Sequence, residues 1–156
     1  MLSYSQLNAQ LKCLVEDSPS LTSALSNAAA LLYDSLPNVN WAGFYLVRDQ
    51  ALILGPFGGK PACVQIPFGK GVCGTCAQQR EPIVVADVHQ FPGHIACDCA
   101  SESEIVIPIL VNEQLVGVLD IDSPIKNRFT QQDSEGLQEA VSVLASLKQW
   151  ETFRIL

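Results

Sequence analysis

Positive charge is scarce in this chain and does not cluster. Nine Lys and Arg stand against sixteen Asp and Glu, giving a formal net charge of −7. Without a basic patch, nucleic-acid binding through phosphate neutralisation is not expected. Long apolar runs are also absent, and nothing approaches the ~20 residues that cross a bilayer. The start, Met1-Leu2-Ser3-Tyr4-Ser5, lacks the basic and apolar stretches of a signal peptide. A cytoplasmic location is the expectation. There is no internal repeat, linker or low-complexity tract. With 156 residues, 48% apolar and 16% charged, the chain is expected to form a single domain, 1–156, with a full hydrophobic core.

The hydrophobic period predicts the elements. Residues 5–16 read as a helix with Leu7, Leu11, Leu14 and Val15 on one face, and Pro19 limits it. Ser20 reads as the N-cap of a second helix striped by Leu21, Ala24, Leu25, Ala28, Leu31 and Leu32 and ended by Pro37. Strands are predicted over 39–47 and 51–54, joined by Arg48-Asp49-Gln50, with Gly-Pro-Phe-Gly-Gly at 55–59 breaking the chain. A short strand at 63–66, a short helix at 72–79 and a strand at 83–85 follow. The stretch 86–103 is a long loop of the kind that is usually functional. A hairpin pairs 105–111 with 115–122, and a last helix begins near Thr130. Tight turns favour an antiparallel sheet. Helices at both chain ends favour an α+β fold with the helices on one face.

Six cysteines in a chain expected in a reducing compartment do not read as a structural disulfide framework. Five of them, Cys63, Cys73, Cys76, Cys97 and Cys99, lie in one Gly- and Pro-rich stretch, which points to thiol chemistry. Cys97 sits in a polar, turn-prone loop three residues after His94. Cys73 opens a short helix whose N-terminal partial charge favours a thiolate. Cys13, on the apolar side of the first helix, is expected to be a small buried hydrophobe. Cys73-Gly-Thr-Cys76 is a C-x-x-C without the βαβ context of thioredoxin-like exchange. Cys73, Cys76, Cys97 and Cys99 with His94 also make a candidate zinc set, although Cys97-x-Cys99 is tighter than usual zinc spacings.

Carboxylates are the second constellation. Strand period two puts Asp120 and Asp122 on one face, and Glu104 immediately precedes the partner strand of the hairpin. Three acids converging in a desolvated cleft would raise at least one pKa. Trp41 and Tyr45 share a strand face and can wall an apolar pocket, while Phe44 faces the core.

Taken together, Trp41-Ala-Gly-Phe-Tyr45, Gly69-Lys-Gly-Val-Cys73-Gly, Pro92-Gly-His-Ile-Ala-Cys97-Asp, Ser103-Glu-Ile-Val-Ile-Pro108 and Gly117-Val-Leu-Asp-Ile-Asp122 resemble the free methionine-R-sulfoxide reductases, a single-domain GAF-fold family. The resemblance covers nearly the whole chain. It implies a GAF-like antiparallel sheet with the N- and C-terminal helices on one face and a ligand cleft on the other. It implies that Cys97 is the nucleophile, Cys63 the main resolving thiol and Cys73 an auxiliary or recycling thiol. It matches Glu104, Asp120 and Asp122 to substrate-binding acids and Trp41 and Tyr45 to pocket aromatics. The activity implied is reduction of free L-methionine (R)-sulfoxide, with the R preference resting on the resemblance alone. Cys97 would be left as a sulfenic acid, and a second thiol would condense with it to a disulfide. Thioredoxin is the expected reductant, no cofactor is expected to be bound, and homodimers are a family habit. Cys76 and Cys99 are not among the matched thiols, and Cys99 is near enough to Cys97 in sequence to compete as resolver. The alternatives are a non-catalytic GAF small-molecule sensor and a zinc-binding structural domain.

Overall fold

The structure, a computed structural model, describes residues 2–94 and 100–153. Ser3 caps α1 (Tyr4–Val15) in a capping box with Gln6. Ser20 caps α2 (Leu21–Ser35), and Thr130 caps α4 (Gln131–Ala145) in a second box with Asp133. Each apolar stripe docks on the same side of one sheet. In α1 the buried face runs through Leu7, Asn8, Leu11 and Val15. It turns toward α4, where the Asn8 side-chain amide donates to the Gly136 carbonyl at 3.0 Å. Leu14 therefore falls on the margin, 43% exposed. Cys13, two residues and so about 200° from Leu11, is exposed, not buried as its sequence setting suggests.

The sheet has six strands: β1 (Trp41–Arg48), β2 (Ala51–Gly59), β3 (Gln65–Pro67), β4 (Ile83–Val85), β5 (Ser103–Val111) and β6 (Gln114–Ser123). Their spatial order is β3-β2-β1-β6-β5-β4, and every neighbouring pair is antiparallel. Both hairpins turn on two residues of positive φ, Asp49-Gln50 and Asn112-Glu113, whose twist matches that of the strands. Strand β2 runs on through 55–59, where a break is predicted from sequence. The pairing of β1 with β2 is irregular between Gly43 and Tyr45, and Pro56 sits within that irregularity, where no ladder N–H is required. Gly43 permits the close approach, since a Cβ there would lie 2.3 Å from the Cβ of Phe57.

Alternation along the strands divides the interior. Ala42, Phe44, Leu46, Ile105, Ile107, Leu119 and Ile121 face α2 and α4, and α1 packs on those two helices. Trp41, Tyr45, Val106 and Val118 pack on the other face with α3 (Gly71–Gln79). Each fully buried large aliphatic side chain contributes about 1.5–3 kcal/mol, so the helical side supplies most of the stability. The α3 side is left with a concavity. Among the described residues no helix is long and apolar enough to cross a membrane.

Candidate active site

The floor of the concavity is sheet, not loop. Trp41 on β1 pairs with Asp122 on β6, and Asp122 pairs with Glu104 on β5. One row along, Gly43 pairs with Asp120, and Asp120 with Val106. All of these face away from the helical layer. The three acids expected from the strand period thus stand on adjacent positions of neighbouring strands. Glu104 and Asp120 are buried, at 7% and 6% exposure. The pocket is lined by these acids with Trp41, Tyr45 and Cys73.

The electrostatics follow from burial. Desolvation, then the Asp120 and Asp122 charges, push the Glu104 carboxyl well above the usual carboxylate range. Desolvation also raises Asp120, but hydrogen bonds from Glu104 and Cys73 oppose it. The acids divide accordingly, with Glu104 the better proton holder and Asp120 the better anion. The Cys73 thiol is pushed well up, first by burial and then by Asp120 and Glu104. The thiolate that its place at the helix start suggests is therefore not favoured, because two carboxylates outweigh the helix terminus. Its thiol donates to Glu104 Oε2 at 3.9 Å. His94 also lines the pocket, and burial with the nearby His89 lowers its pKa below the usual imidazole value, against an opposing Asp120.

Trp41 and Tyr45 stand together, their ring centroids 6.0 Å apart. The Trp41 indole N–H donates to the Lys60 carbonyl at 3.0 Å, and the Tyr45 hydroxyl donates to the Cys63 carbonyl at 2.9 Å. Burial and the acids raise the Tyr45 pKa, so it stays a neutral donor. Phe57 stacks on the outer side of Trp41 at 5.2 Å. Sequence reasoning missed Phe57 because its Gly- and Pro-rich neighbours read as a break. A lone aromatic inside such a stretch was the available signal. Ser101 and Lys70 also line the pocket without having been anticipated.

Cys63 precedes β3 rather than opening it and is disulfide-bonded. Cys13, Cys73 and Cys76 are free thiols. Cys97 and Cys99, two of the five members of the candidate zinc set, lie outside the described residues. The remaining members, Cys73, Cys76 and His94, do not converge. Cys76 is fully buried and donates to the carbonyls of Glu81 at 3.2 Å and Val106 at 3.7 Å, and burial and Asp120 push its thiol up to about 12. Asp87, His89 and Glu102 also gather their ligand atoms within 4.8 Å, but Lys126 already pairs with Asp87 at 3.2 Å.

An antiparallel sheet with terminal helices on one face and a pocket floored by the other defines a GAF domain, and the GAF domain family model matches residues 20–147. The free methionine-R-sulfoxide reductase of Escherichia coli is 51% identical over 141 residues, 90% of this chain and 86% of that protein. That of Saccharomyces cerevisiae is 48% identical over 128 residues, 77% of this chain and 71% of that protein. Among solved structures, fRMsr of Staphylococcus aureus in complex with substrate is 53% identical with a TM-score of 0.87, covering 91% of this chain and 93% of that one. The chain belongs to the free methionine-R-sulfoxide reductase family.

Proposed function

We propose that this chain reduces free L-methionine (R)-sulfoxide to methionine at the pocket floored by Glu104, Asp120 and Asp122. The observation that carries the reading is this acid trio beside an aromatic wall. A sulfoxide sulfur is attacked readily only when its oxygen is protonated or strongly hydrogen-bonded, and a carboxyl kept protonated by burial is a suitable donor. Glu104 holds its proton most firmly and is the proposed donor. Asp120 and Asp122 draw the substrate ammonium, and the Trp41 and Tyr45 rings receive the S-methyl group. A free amino acid brings its own ammonium to these acids, whereas a methionine inside a chain has none to offer.

The Cys97 thiolate attacks the sulfoxide sulfur as Glu104 protonates the oxygen. Methionine leaves, and Cys97 becomes a sulfenic acid. The Cys63 thiol attacks that sulfur, forming a disulfide and releasing water. Two thiols and one sulfoxide thus become one disulfide, one methionine and one water. Thioredoxin, a dithiol reductant, reopens the disulfide by exchange, so no bound cofactor is needed and a reducing compartment such as the cytoplasm suits the cycle. That Cys63 forms a disulfide beside the pocket aromatic Tyr45 supports its role as resolver.

The test is to mix reduced protein with each epimer of free methionine sulfoxide, measure methionine by chromatography and map the disulfide by peptide mass. One methionine per new disulfide is expected from the R epimer, and none from Cys97→Ser. Turnover by Cys97→Ser, or binding with no thiols consumed, would remove the mechanism.

A further inference from the structure

Cys73 is 4% exposed and a free thiol. Its Sγ, one oxygen of Glu104 and one of Asp120 lie within 4.8 Å of one another. The first turn of α3 that carries it is tied down at several points. Gly69 N–H donates to the Gly74 carbonyl at 2.8 Å and Lys70 N–H to the Pro67 carbonyl at 3.2 Å. A Cβ at Gly74 would lie 2.4 Å from the Pro67 oxygen, so helix and β3 are in close contact. A thiol that carries electrons to a protein reductant must reach the surface or swing to a partner. This one is enclosed on a pinned turn and is already hydrogen-bonded to an acid.

We infer that Cys73 is a positioning residue whose thiol donates a hydrogen bond to Glu104 within the Glu104–Asp120 pair, fixing how the two carboxyls are held in the pocket, and that it passes no electrons in the cycle. The inference deepens the proposed reductase reading and rests on it for its kinetic consequence. A thiol is a weak donor, but in a dry site a hydrogen bond is stronger than in water, so even a weak donor biases the ionisation of the acid it serves. Burial favours the neutral thiol, which is the form able to donate. The other titratable groups facing the pair are Asp122 on β6, Tyr45 on β1, Cys76 on α3 and His94, with Lys70 at the pocket rim. Among the described cysteines, Cys73 is the one that lies in the compact trio with both acids.

The test compares wild type, Cys73→Ala and Cys73→Ser. Carbon-13 NMR follows the Glu104 and Asp120 carboxyls as a coupled pair. In Cys73→Ala the coupled titration of the Glu104–Asp120 pair is expected to move to higher pH by roughly half a unit to one unit, since a donor to its charged form is gone. Cys73→Ser, which keeps a donor, restores it. The acid limb of kcat/KM moves in step, KM rises, and kcat on the alkaline side changes less than KM does. If the alanine variant folds poorly, the infrared S–H band of Cys73 in the unsubstituted protein reads the same contact, and it is expected to shift across the pH range where the acids titrate. An unchanged carboxyl titration or an unresponsive S–H band would overturn the inference. So would loss of reductant-supported cycling in Cys73→Ser and Cys73→Ala alike with single-turnover methionine intact, which is the mark of a recycling thiol. If instead wild type makes no methionine, the reductase reading fails while the titration remains interpretable.

Discussion

Glu104 stands at the meeting of stability and chemistry. Its folded pKa is raised above the unfolded value of about 4.5 by burial and by neighbouring acids. Between those two values the native state binds more protons than the unfolded one, so stability falls as pH climbs through that window. Glu104→Gln keeps the shape and removes the charge. It is expected to raise Tm at pH 8 by about 2–4 °C per kcal/mol recovered, with no gain at pH 4, as scanning calorimetry at both pH values would show. The same substitution removes the proposed proton donor and is expected to lower kcat/KM by roughly 10²-fold or more, a loss of activity accompanied by a gain of stability. Cys76→Ser is expected to retain most activity, since a hydroxyl can serve the two carbonyls that the thiol now serves. Cys99→Ser is likewise expected to retain it, and steady-state assays read both.

The clasp between α1 and α4 is the element with the sharpest steric demand. Tyr4 donates its hydroxyl to Asp133 at 2.6 Å, and Arg128 meets the same carboxylate at 3.2 Å. Burial alone would raise Asp133, but hydrogen bonds from Tyr4 and Thr130 and the Arg128 charge bring it below 3.8. Its contribution to stability is therefore present above pH 3.8 and is lost as pH falls through the lowered value. At Gly136 a Cβ would meet the Tyr4 ring at 2.1 Å. Gly136→Ala gains up to ~1 kcal/mol of helix propensity and loses about 1–3 kcal/mol to overpacking, with the Tyr4 bond at risk as well. A net fall in Tm is expected, larger at pH 7 than at pH 3. The cap at Ser20 and the start of the last helix near Thr130 were legible in the sequence because a helix start is a local bargain among a few residues. The shared face of Asp120 and Asp122 was legible because strand period is rigid. The continuation of β2 was not, because Gly55, Pro56, Gly58 and Gly59 are turn residues by type, and the irregular pairing between Gly43 and Tyr45 is what admits Gly55 and Pro56 to the strand. The exposure of Cys13 was hidden for a similar reason: contact with α4, not the apolar count of α1, sets which way that helix turns.

At the scale of the molecule, the thiols report on separate regions. Cys13 lies on the outer surface, Cys73 is buried at the pocket wall and Cys76 is enclosed between α3 and the sheet. Alkylation resolved by peptide mass is expected to label Cys13 in the native protein within minutes. Cys76 should label only on the timescale of unfolding, and fast native labelling of it would contradict the packing described. The two faces of β6 have a consequence for which length variants this family can tolerate. Leu119 and Ile121 are immersed in the oily layer, while their immediate neighbours Asp120 and Asp122 serve the pocket. Removing one codon anywhere upstream in that strand would exchange the two sets at a stroke, driving carboxylates into hydrocarbon and stripping the cleft of its acids. Within the β5–β6 hairpin, insertions and deletions should therefore be tolerated at the turn on 112–113 and not inside the strand, and a deletion scan through β6 should find no partial phenotypes.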